Sequence, residues 1–341
     1  MPLTIAPFDP DAATEADLDD LHALLLAAYP VDMPEEPLPT RESAFGRLTQ
    51  AVAPLAENTY WGARIDGRLV GWATLALLSG VNAGLGHVDV KVRPDHRRQG
   101  VGAETLRAAA AHAAEHGRGV LVGMPVKPDS AGAHWVRRLG FRPTRHVVIQ
   151  RLDVRGDTAG KVWDAPVAPG YRLVQWSAAA PEELIASYAV ARQAIADAPS
   201  GSSVYRDDQE WTPESIRKEE REHSAAGVDF RVAVVVDETD GTVAGLTNVL
   251  LREHNPQLGI QMATAVLSAH RGHGLGLALK GAMLRTLLEA WPELERIHTS
   301  NAADNEHMLA VNRALGYRPL RETIHTEIET AALIENLARL A

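Results

Sequence analysis

Two glycine-rich segments of this chain have the residue types of a loop that binds phosphate groups. Each contains the pattern Arg-x-x-Gly-x-Gly, from Arg97 to Gly102 and from Arg271 to Gly276. Glycine lets the backbone approach a ligand closely, and a helix that follows offers unpaired N–H groups and a positive dipole end to an anion. We predict that both loops bind a pyrophosphate group. The loop residues assigned to this role are Arg97, Arg98, Gly100 and Gly102 in the first copy, and Arg271, Gly272, His273, Gly274, Leu275 and Gly276 in the second; Val92 and Val266, at the ends of the preceding strands, are assigned to the same ligand.

The two loops are part of an internal repeat. Gly100 and Gly274 are 174 residues apart, and the later Leu-Gly-aromatic motifs at Gly140 and Gly316 are 176 residues apart. Such a steady spacing across unrelated motifs indicates a tandem duplication of about 150 residues per unit.

The duplication divides the chain into two predicted domains. The N-terminal domain covers residues 1–153 and the C-terminal domain covers residues 171–341. Residues 154–170 lie between them, are rich in Gly, Pro and Asp, and have no clear hydrophobic period, so we predict a linker there.

Residue patterns predict the elements that position each loop. Alternating residues over His87–Val92 predict a strand before the first loop. The apolar residues Leu279, Met283 and Leu287 predict the buried face of a helix after the second. The predicted fold class is α/β, with an α+β mixed sheet in each half that is mostly antiparallel and flanked by helices.

Composition restricts the partners of the protein. The chain has 341 residues and a formal net charge of −10, with no basic stretch long enough to follow a nucleic-acid backbone. It has no cysteine and no apolar run near the roughly 20 residues of a membrane span. We expect a cytoplasmic monomer or homodimer that binds neither nucleic acid nor a membrane.

The order of strand, Val-x-Pro-x-x-Arg-Arg-x-Gly-x-Gly loop, helix, strand and Leu-Gly-Phe motif resembles the GNAT superfamily of acyl-CoA-dependent N-acyltransferases. The resemblance covers nearly the whole chain twice, as in the tandem GNAT proteins of actinobacteria. It implies a splayed sheet in each domain, with acetyl-CoA as co-substrate between the loop-bearing strand and the next, and no metal. It also implies that Asn301 and Asn305 lie near the pantetheine arm, and that the acyl carbonyl bonds a backbone amide near Val266 or Val92.

The activity implied by this resemblance is transfer of an acetyl group from acetyl-CoA to a primary amine of a small molecule, by direct attack on the thioester. Two alternatives remain open. One is a non-catalytic protein that binds or senses acyl-CoA, or serves as a scaffold. The other is an acetyltransferase for amines of proteins or peptides.

Candidate catalytic residues follow from the same resemblance and from residue type. Asn312 occupies the position at which the superfamily often has a tyrosine that protonates the leaving thiolate. Candidate general bases are Asp89 on the strand before the first loop, and Glu253 and His298 in the second half. The sequence does not choose among them. Asn305 in the second copy makes the C-terminal domain the predicted catalytic one and the N-terminal domain the degenerate one.

The amine acceptor can be described only by its charge. The segment between the first helix and second strand of each half is acidic, and in the superfamily it forms part of the acceptor wall. In the second half Asp207 and Asp208, with Tyr205 nearby, are the predicted substrate-binding residues, because carboxylates attract a cationic amine.

Overall fold

The computed structural model of the protein describes residues 2–49, 57–155, 163–196, 203–204 and 210–340. Its first half contains, in chain order, β1 (Thr4–Phe8), α1 (Glu15–Asp32), α2 (Arg41–Thr49), β2 (Glu57–Ile65), β3 (Arg68–Leu77), β4 (Leu85–Val92), α3 (Val101–Glu115), β5 (Val120–Val126), α4 (Ala131–Arg138) and β6 (Arg142–Asp153).

The second half repeats this order and adds one helix at the end. It contains β7 (Tyr171–Ser177), α5 (Glu182–Ala196), α6 (Pro213–Ala225), β8 (Val228–Asp237), β9 (Val243–Arg252), β10 (Leu258–Val266), α7 (Leu275–Ala290), β11 (Arg296–Ala302), α8 (Glu306–Ala314), β12 (Arg318–Glu329) and α9 (Thr330–Ala338). Among the residues that the structure describes, no helix is both long and apolar enough to cross a membrane.

The chain folds into two compact units that do not coincide with its two halves. Unit 1 consists of residues 1–146, 201–206 and 323–341, and unit 2 consists of residues 147–200 and 207–322. Each half therefore gives the C-terminal part of its last strand to the other unit, residues 147–153 of β6 and residues 323–329 of β12. The predicted boundaries 1–153, 154–170 and 171–341 describe the sequence repeat, whereas the compact units follow this exchange of strands.

The sheet of unit 1 has the strand order β1-β2-β3-β4-β5-β12. Strands β4 and β5 are parallel, and the other neighbouring pairs are antiparallel. The exchanged strand pairs with β5 over residues 324–329, and α9 continues directly from it.

The sheet of unit 2 has the corresponding order β7-β8-β9-β10-β11, closed by residues 147–153 of β6. Strands β10 and β11 are the parallel pair. The predicted fold class, a mostly antiparallel mixed sheet flanked by helices in each half, is confirmed.

Each unit has its own hydrophobic core beneath the helix that follows its glycine-rich loop. In unit 1 the buried residues of α3 pack with Ile328 on β12 and with Leu333 and Leu337 on α9. In unit 2 the buried residues of α7 pack with Leu152 on β6. The exchanged segments thus supply core side chains, and their burial stabilises the unit that receives them.

We expect Leu333→Ala to destabilise unit 1 although Leu333 lies near the C-terminus of the chain. Leu333 is fully buried, and truncating such a leucine costs about 2–5 kcal/mol through lost contacts and the cavity left behind. Hydrogen exchange should show reduced protection at amides of α3 and β5.

Leu279→Ala in α7 is the matched control, because Leu279 is equally buried in unit 2. It should reduce protection within residues 207–322 first. A Leu333→Ala variant that loses protection in unit 2 instead of unit 1 would contradict the exchange of strands.

Candidate functional site

A gap opens in the sheet of unit 2 beside the second glycine-rich loop. Strands β10 and β11 pair from Leu258↔Arg296 to Gln261↔Thr299 and no further. On the other side of β10, the N–H of Leu267 donates to the carbonyl of Ala244 at 2.9 Å. Because N–H directions alternate along an antiparallel ladder, the N–H of the preceding residue, Val266, points away from β9 and into the gap.

A β-bulge in β10 lies where this gap begins. Between the pairs Gln261↔Val249 and Thr264↔Thr247, two residues of β10 lie opposite the single residue Asn248. Such a bulge bends its strand and disrupts pairing locally. The equivalent pair of strands in unit 1, β3 and β4, is in continuous register.

Buried polar side chains hold the bulge in place. The N–H of Ala263 donates to the Oδ1 atom of Asn248 at 2.8 Å. The Nε2 atom of Gln261 donates to the Oγ1 atom of Thr247 at 2.9 Å and to the carbonyl of Asn248 at 2.7 Å. The hydroxyl groups of Thr247 and Thr264 are 2.8 Å apart. These bonds satisfy the polar groups that the bulge removes from the ladder.

The loop of unit 2 has the geometry expected of an anion site. Gly272 and Gly274 have positive φ angles of 86° and 71°, which glycine adopts at no steric cost. Gly274 is the N-cap of α7, so the first N–H groups of that helix have no carbonyl partner within the helix. The Nε atom of Arg271 donates to the carbonyl of Val266 at 3.2 Å, and this side chain is exposed.

The loop of unit 1 has the same backbone shape but different surroundings. Arg98 has a φ of 63° where unit 2 has Gly272, and a left-handed conformation costs a non-glycine residue about 1–2 kcal/mol. Arg97 repeats the bond of Arg271, with its Nε atom 3.0 Å from the carbonyl of Val92. Its two terminal nitrogens, however, donate to the carboxylate of Asp32 at 2.9 and 2.7 Å.

A tryptophan also occupies the space in front of the first loop. A Cβ atom built on Gly102 would meet the ring of Trp135 at 3.4 Å. A Cβ atom built on the corresponding Gly276 of unit 2 would meet only the side chain of Val266, at 4.0 Å. The second residue of α7 is therefore more open than the second residue of α3, whereas the N-cap glycines Gly100 and Gly274 both have open space beside them.

The predicted base of unit 1, Asp89, forms an ion pair with Lys91 on the same strand. It lies just beyond the last β4–β5 pair, Val88↔Gly123. Burial lowers the pKa of the neighbouring His87, and the Asp89 carboxylate partly opposes this shift.

Two predicted cofactor-binding asparagines lie at the far side of the gap in unit 2. Asn301 is on β11 beyond its last pair with β10, still paired with Val148 of β6, and its Nδ2 atom is buried without a hydrogen-bond partner. Asn305 is the N-cap of α8, where its Oδ1 atom accepts from the N–H of Met308 at 3.1 Å. The Nδ2 donors of Asn301 and Asn305 therefore take no part in a capping bond.

Asn312 lies inside unit 2, fully buried, with both polar atoms of its side chain engaged. Its Nδ2 atom donates to the Oε1 atom of Gln150 at 2.8 Å, and its Oδ1 atom accepts from the Nζ atom of Lys280 at 2.5 Å. Lys280 was missed by the sequence reasoning. The available signal was a single charged residue inside the otherwise apolar run Leu275–Leu284.

The remaining predicted residues are not brought together at the gap. Glu253 is exposed in the turn before β10, about 30 Å along that strand from the loop. His298 is buried on β11 and pairs with Ile260, within the closed part of the parallel pair. Tyr205, Asp207 and Asp208 lie outside the described residues.

One group of described side chains has the composition of a metal site. His112, Glu115 and His116 have ligand atoms within 4.8 Å of one another. They are at the end of α3 opposite to its glycine-rich loop, so the prediction of a metal-independent site at the loop remains a prediction.

Comparison with known proteins agrees with this geometry. The model of the acetyltransferase (GNAT) family matches residues 18–141 and again residues 195–317. Mycothiol acetyltransferase of Actinosynnema mirum is 28% identical over 312 residues, which are 90% of this chain and 94% of that protein.

Solved structures give the same result for the complete chain. A tandem GNAT protein from the clavulanic acid biosynthesis pathway is 27% identical, with a TM-score of 0.77 over 96% of this chain and 99% of that one. A GCN5-related N-acetyltransferase from Sphaerobacter thermophilus shares the fold at 13% identity, with a TM-score of 0.69 over 96% of each chain. This protein therefore belongs to the acetyltransferase (GNAT) family and carries the domain of that family twice.

Proposed function

We propose that the protein transfers an acetyl group from acetyl-CoA to a primary amine of a small molecule, and that unit 2 is the catalytic unit. The observation that carries this proposal is the gap between β10 and β11, which begins at a bulge and adjoins a loop whose arginine and helix start are open.

The residues around the gap fit the groups of an acyl-CoA. The first N–H groups of α7 and the exposed guanidinium of Arg271 suit the negative charges of a pyrophosphate. The Val266 N–H points into the gap and suits the carbonyl of a thioester. The unpartnered amide of Asn301 suits a pantetheine carbonyl. Acetyl-CoA would supply the activated acyl group, and these residues would hold and orient it.

The contrast with unit 1 supports the choice of unit 2. An anion at the first loop would have to compete with the Asp32 carboxylate for Arg97, and the ring of Trp135 narrows the space beside Gly102. A carboxylate already bound to the arginine also repels a pyrophosphate. Unit 1 is in this proposal a poorer binder of acyl-CoA.

We propose a small amine as the acceptor because the names of two relatives point to small-molecule metabolism. One is a mycothiol acetyltransferase, and the other is a tandem GNAT protein from the clavulanic acid biosynthesis pathway. The net charge of −10 favours a cationic acceptor. The roles of Asp207, Asp208 and Tyr205 in binding it, and of Glu253 or His298 as general base, remain predictions. The monomeric or dimeric state and the cytoplasmic location also remain predictions.

The deciding experiment measures release of free CoA from acetyl-CoA with a panel of primary amines, among them amino sugars, polyamines and cysteinyl conjugates, and with lysine-containing peptides as a separate arm. Turnover with small amines alone supports the proposal. Turnover with peptides alone indicates a peptide acetyltransferase, and binding of acetyl-CoA without turnover in either arm indicates a sensor or scaffold.

Acetyl-CoA should raise the melting temperature of the protein, since a ligand that binds only the native state stabilises it by mass action. At about 100 times its dissociation constant the stabilisation should be about 2.7 kcal/mol. Differential scanning calorimetry with and without the ligand measures this. An unchanged melting temperature at millimolar acetyl-CoA would remove the basis for the proposed donor.

Gly274→Val should abolish donor binding, because a β-branched residue resists the positive φ of Gly274 and would misplace the N–H groups at the start of α7. Gly100→Val is the matched control. Gly100 has a φ of 83°, caps α3 in the same way, and likewise has no atom near its missing Cβ.

Both variants carry the same local strain, so a comparison of the two isolates the effect on the ligand. Isothermal titration with acetyl-CoA and a turnover assay provide the readouts. If Gly100→Val loses turnover while Gly274→Val retains it, unit 1 rather than unit 2 is the catalytic unit.

A further inference from the structure

Lys280 is a buried cation without an anionic partner among the described residues. It lies in the second turn of α7 and is 2% exposed. Its Nζ atom makes one described hydrogen bond, to the Oδ1 atom of Asn312 at 2.5 Å. Burial lowers the pKa of Lys280 to about 7 and is the sole cause of the shift, so no neighbouring charge offsets the cost of desolvation.

The groups around Lys280 are polar but neutral. On α8, Asn312 links it to Gln150 of β6 through a second hydrogen bond of 2.8 Å. The ring of Tyr317, at the start of the segment leading to β12, has its centroid 5.1 Å from the Nζ atom. Burial raises the pKa of the Tyr317 phenol, which is the titratable group that faces Lys280, and therefore keeps it neutral.

Strand β6, which carries Gln150, lies next to β11, the far wall of the gap. Gln150 pairs with Thr299 on β11, and Thr299 pairs with Gln261 on β10 in the last rung before those strands diverge. Leu152, two residues further along β6 and hence on the same face as Gln150, belongs to the core under α7. Lys280 and Asn312 are therefore on the α7 side of the sheet where the gap begins.

A buried ammonium group without a counter-ion is costly, and proteins tolerate one where it meets an anion or exchanges a proton. Aminolysis of a thioester generates an anion, the thiolate, which leaves with the electron pair of the C–S bond. A group that titrates near neutral pH is suited to protonate it.

We propose that Lys280 donates a proton to the sulfur atom released from the thioester and that Asn312 positions its ammonium group. This inference rests on the proposed function. In the step, the lone pair of the amine nitrogen forms the C–N bond, the C–S bond breaks, and the Nζ–H proton moves to sulfur to give a thiol and a neutral lysine. The proton released by the attacking nitrogen passes to solvent, and solvent then reprotonates Lys280.

The test uses the full-length protein with Lys280→Met, whose unbranched side chain is one atom shorter and carries no charge. The pKa of the thiol of bound CoA is measured by the ultraviolet absorbance of its thiolate. The Lys280 ammonium group should hold that pKa about 1–3 units below its value in Lys280→Met. Replacing an unpaired buried charge with an apolar side chain should leave the melting temperature unchanged or raise it, which serves as the control for folding.

The pH dependence of kcat is the second readout. An acid acts only while it is protonated, so the wild-type kcat should fall as pH rises through the pKa of Lys280. In Lys280→Met this decrease of kcat at high pH should be absent. The kcat of the variant should be about 100- to 10,000-fold lower than that of the wild type. Asn312→Leu should shift the decrease to lower pH, because loss of the acceptor disfavours the charged form of the lysine.

Leu106→Met is the matched control, since Leu106 is the buried residue of α3 that lies 174 positions before Lys280. It should leave both readouts at their wild-type values. If Lys280→Met keeps the wild-type thiol pKa and the decrease of kcat at high pH while the wild-type protein binds and turns over acetyl-CoA, this inference is wrong and the proposed function stands. If the wild-type protein binds no CoA, both are overturned.

Discussion

One additional residue in β10 is the constraint that separates the site of unit 2 from its counterpart in unit 1, where the β4–β5 pairing also ends after four rungs but β4 has no bulge. Strand β10 has nine residues where β4 has eight, although both start with Leu-Gly and both end at a glycine-rich loop. Pairing with β11 fixes one end of β10 and the start of α7 fixes the other. The extra residue is accommodated as a bulge, which the buried side chain of Asn248 stabilises.

The exchange of strands makes the gap of unit 2 depend on the first half of the chain. The far wall of the gap is β11, and residues 147–153 of β6 pair with its other edge. Beyond its last rung with β10, β11 is held by its pairing with β6. The first half is therefore needed by unit 2 whatever its own loop binds, because it supplies this strand and the buried Gln150.

The sequence predicted the loops, the repeat and most elements around them, because glycine spacing and hydrophobic periodicity are local signals. It could not predict the exchange, since β6 and β12 have the same alternation whichever sheet receives them.

The bulge was detectable but missed. The Leu-Gly pairs at Leu85 and Leu258 are 173 residues apart, whereas the loop glycines are 174 apart, so one residue had been inserted between them. The buried hydrogen bond of Asn312 could not be predicted either. Its partner is Lys280, and no periodic pattern predicts a lysine inside an apolar helix.

The two loops also show why a phosphate-binding pattern is not sufficient for binding. In both units the arginine of the pattern donates its Nε–H to the last carbonyl of the preceding strand. This bond stabilises the turn whether or not a ligand is present, so the pattern reports the shape of the loop. Ligand binding depends on donors that remain available, and these are determined by residues far away in sequence. Asp32 engages Arg97 of the first loop and Trp135 narrows the space beside Gly102, whereas the second residue of α7 is more open. Two nearly identical motifs can therefore differ in function without any change in their glycines.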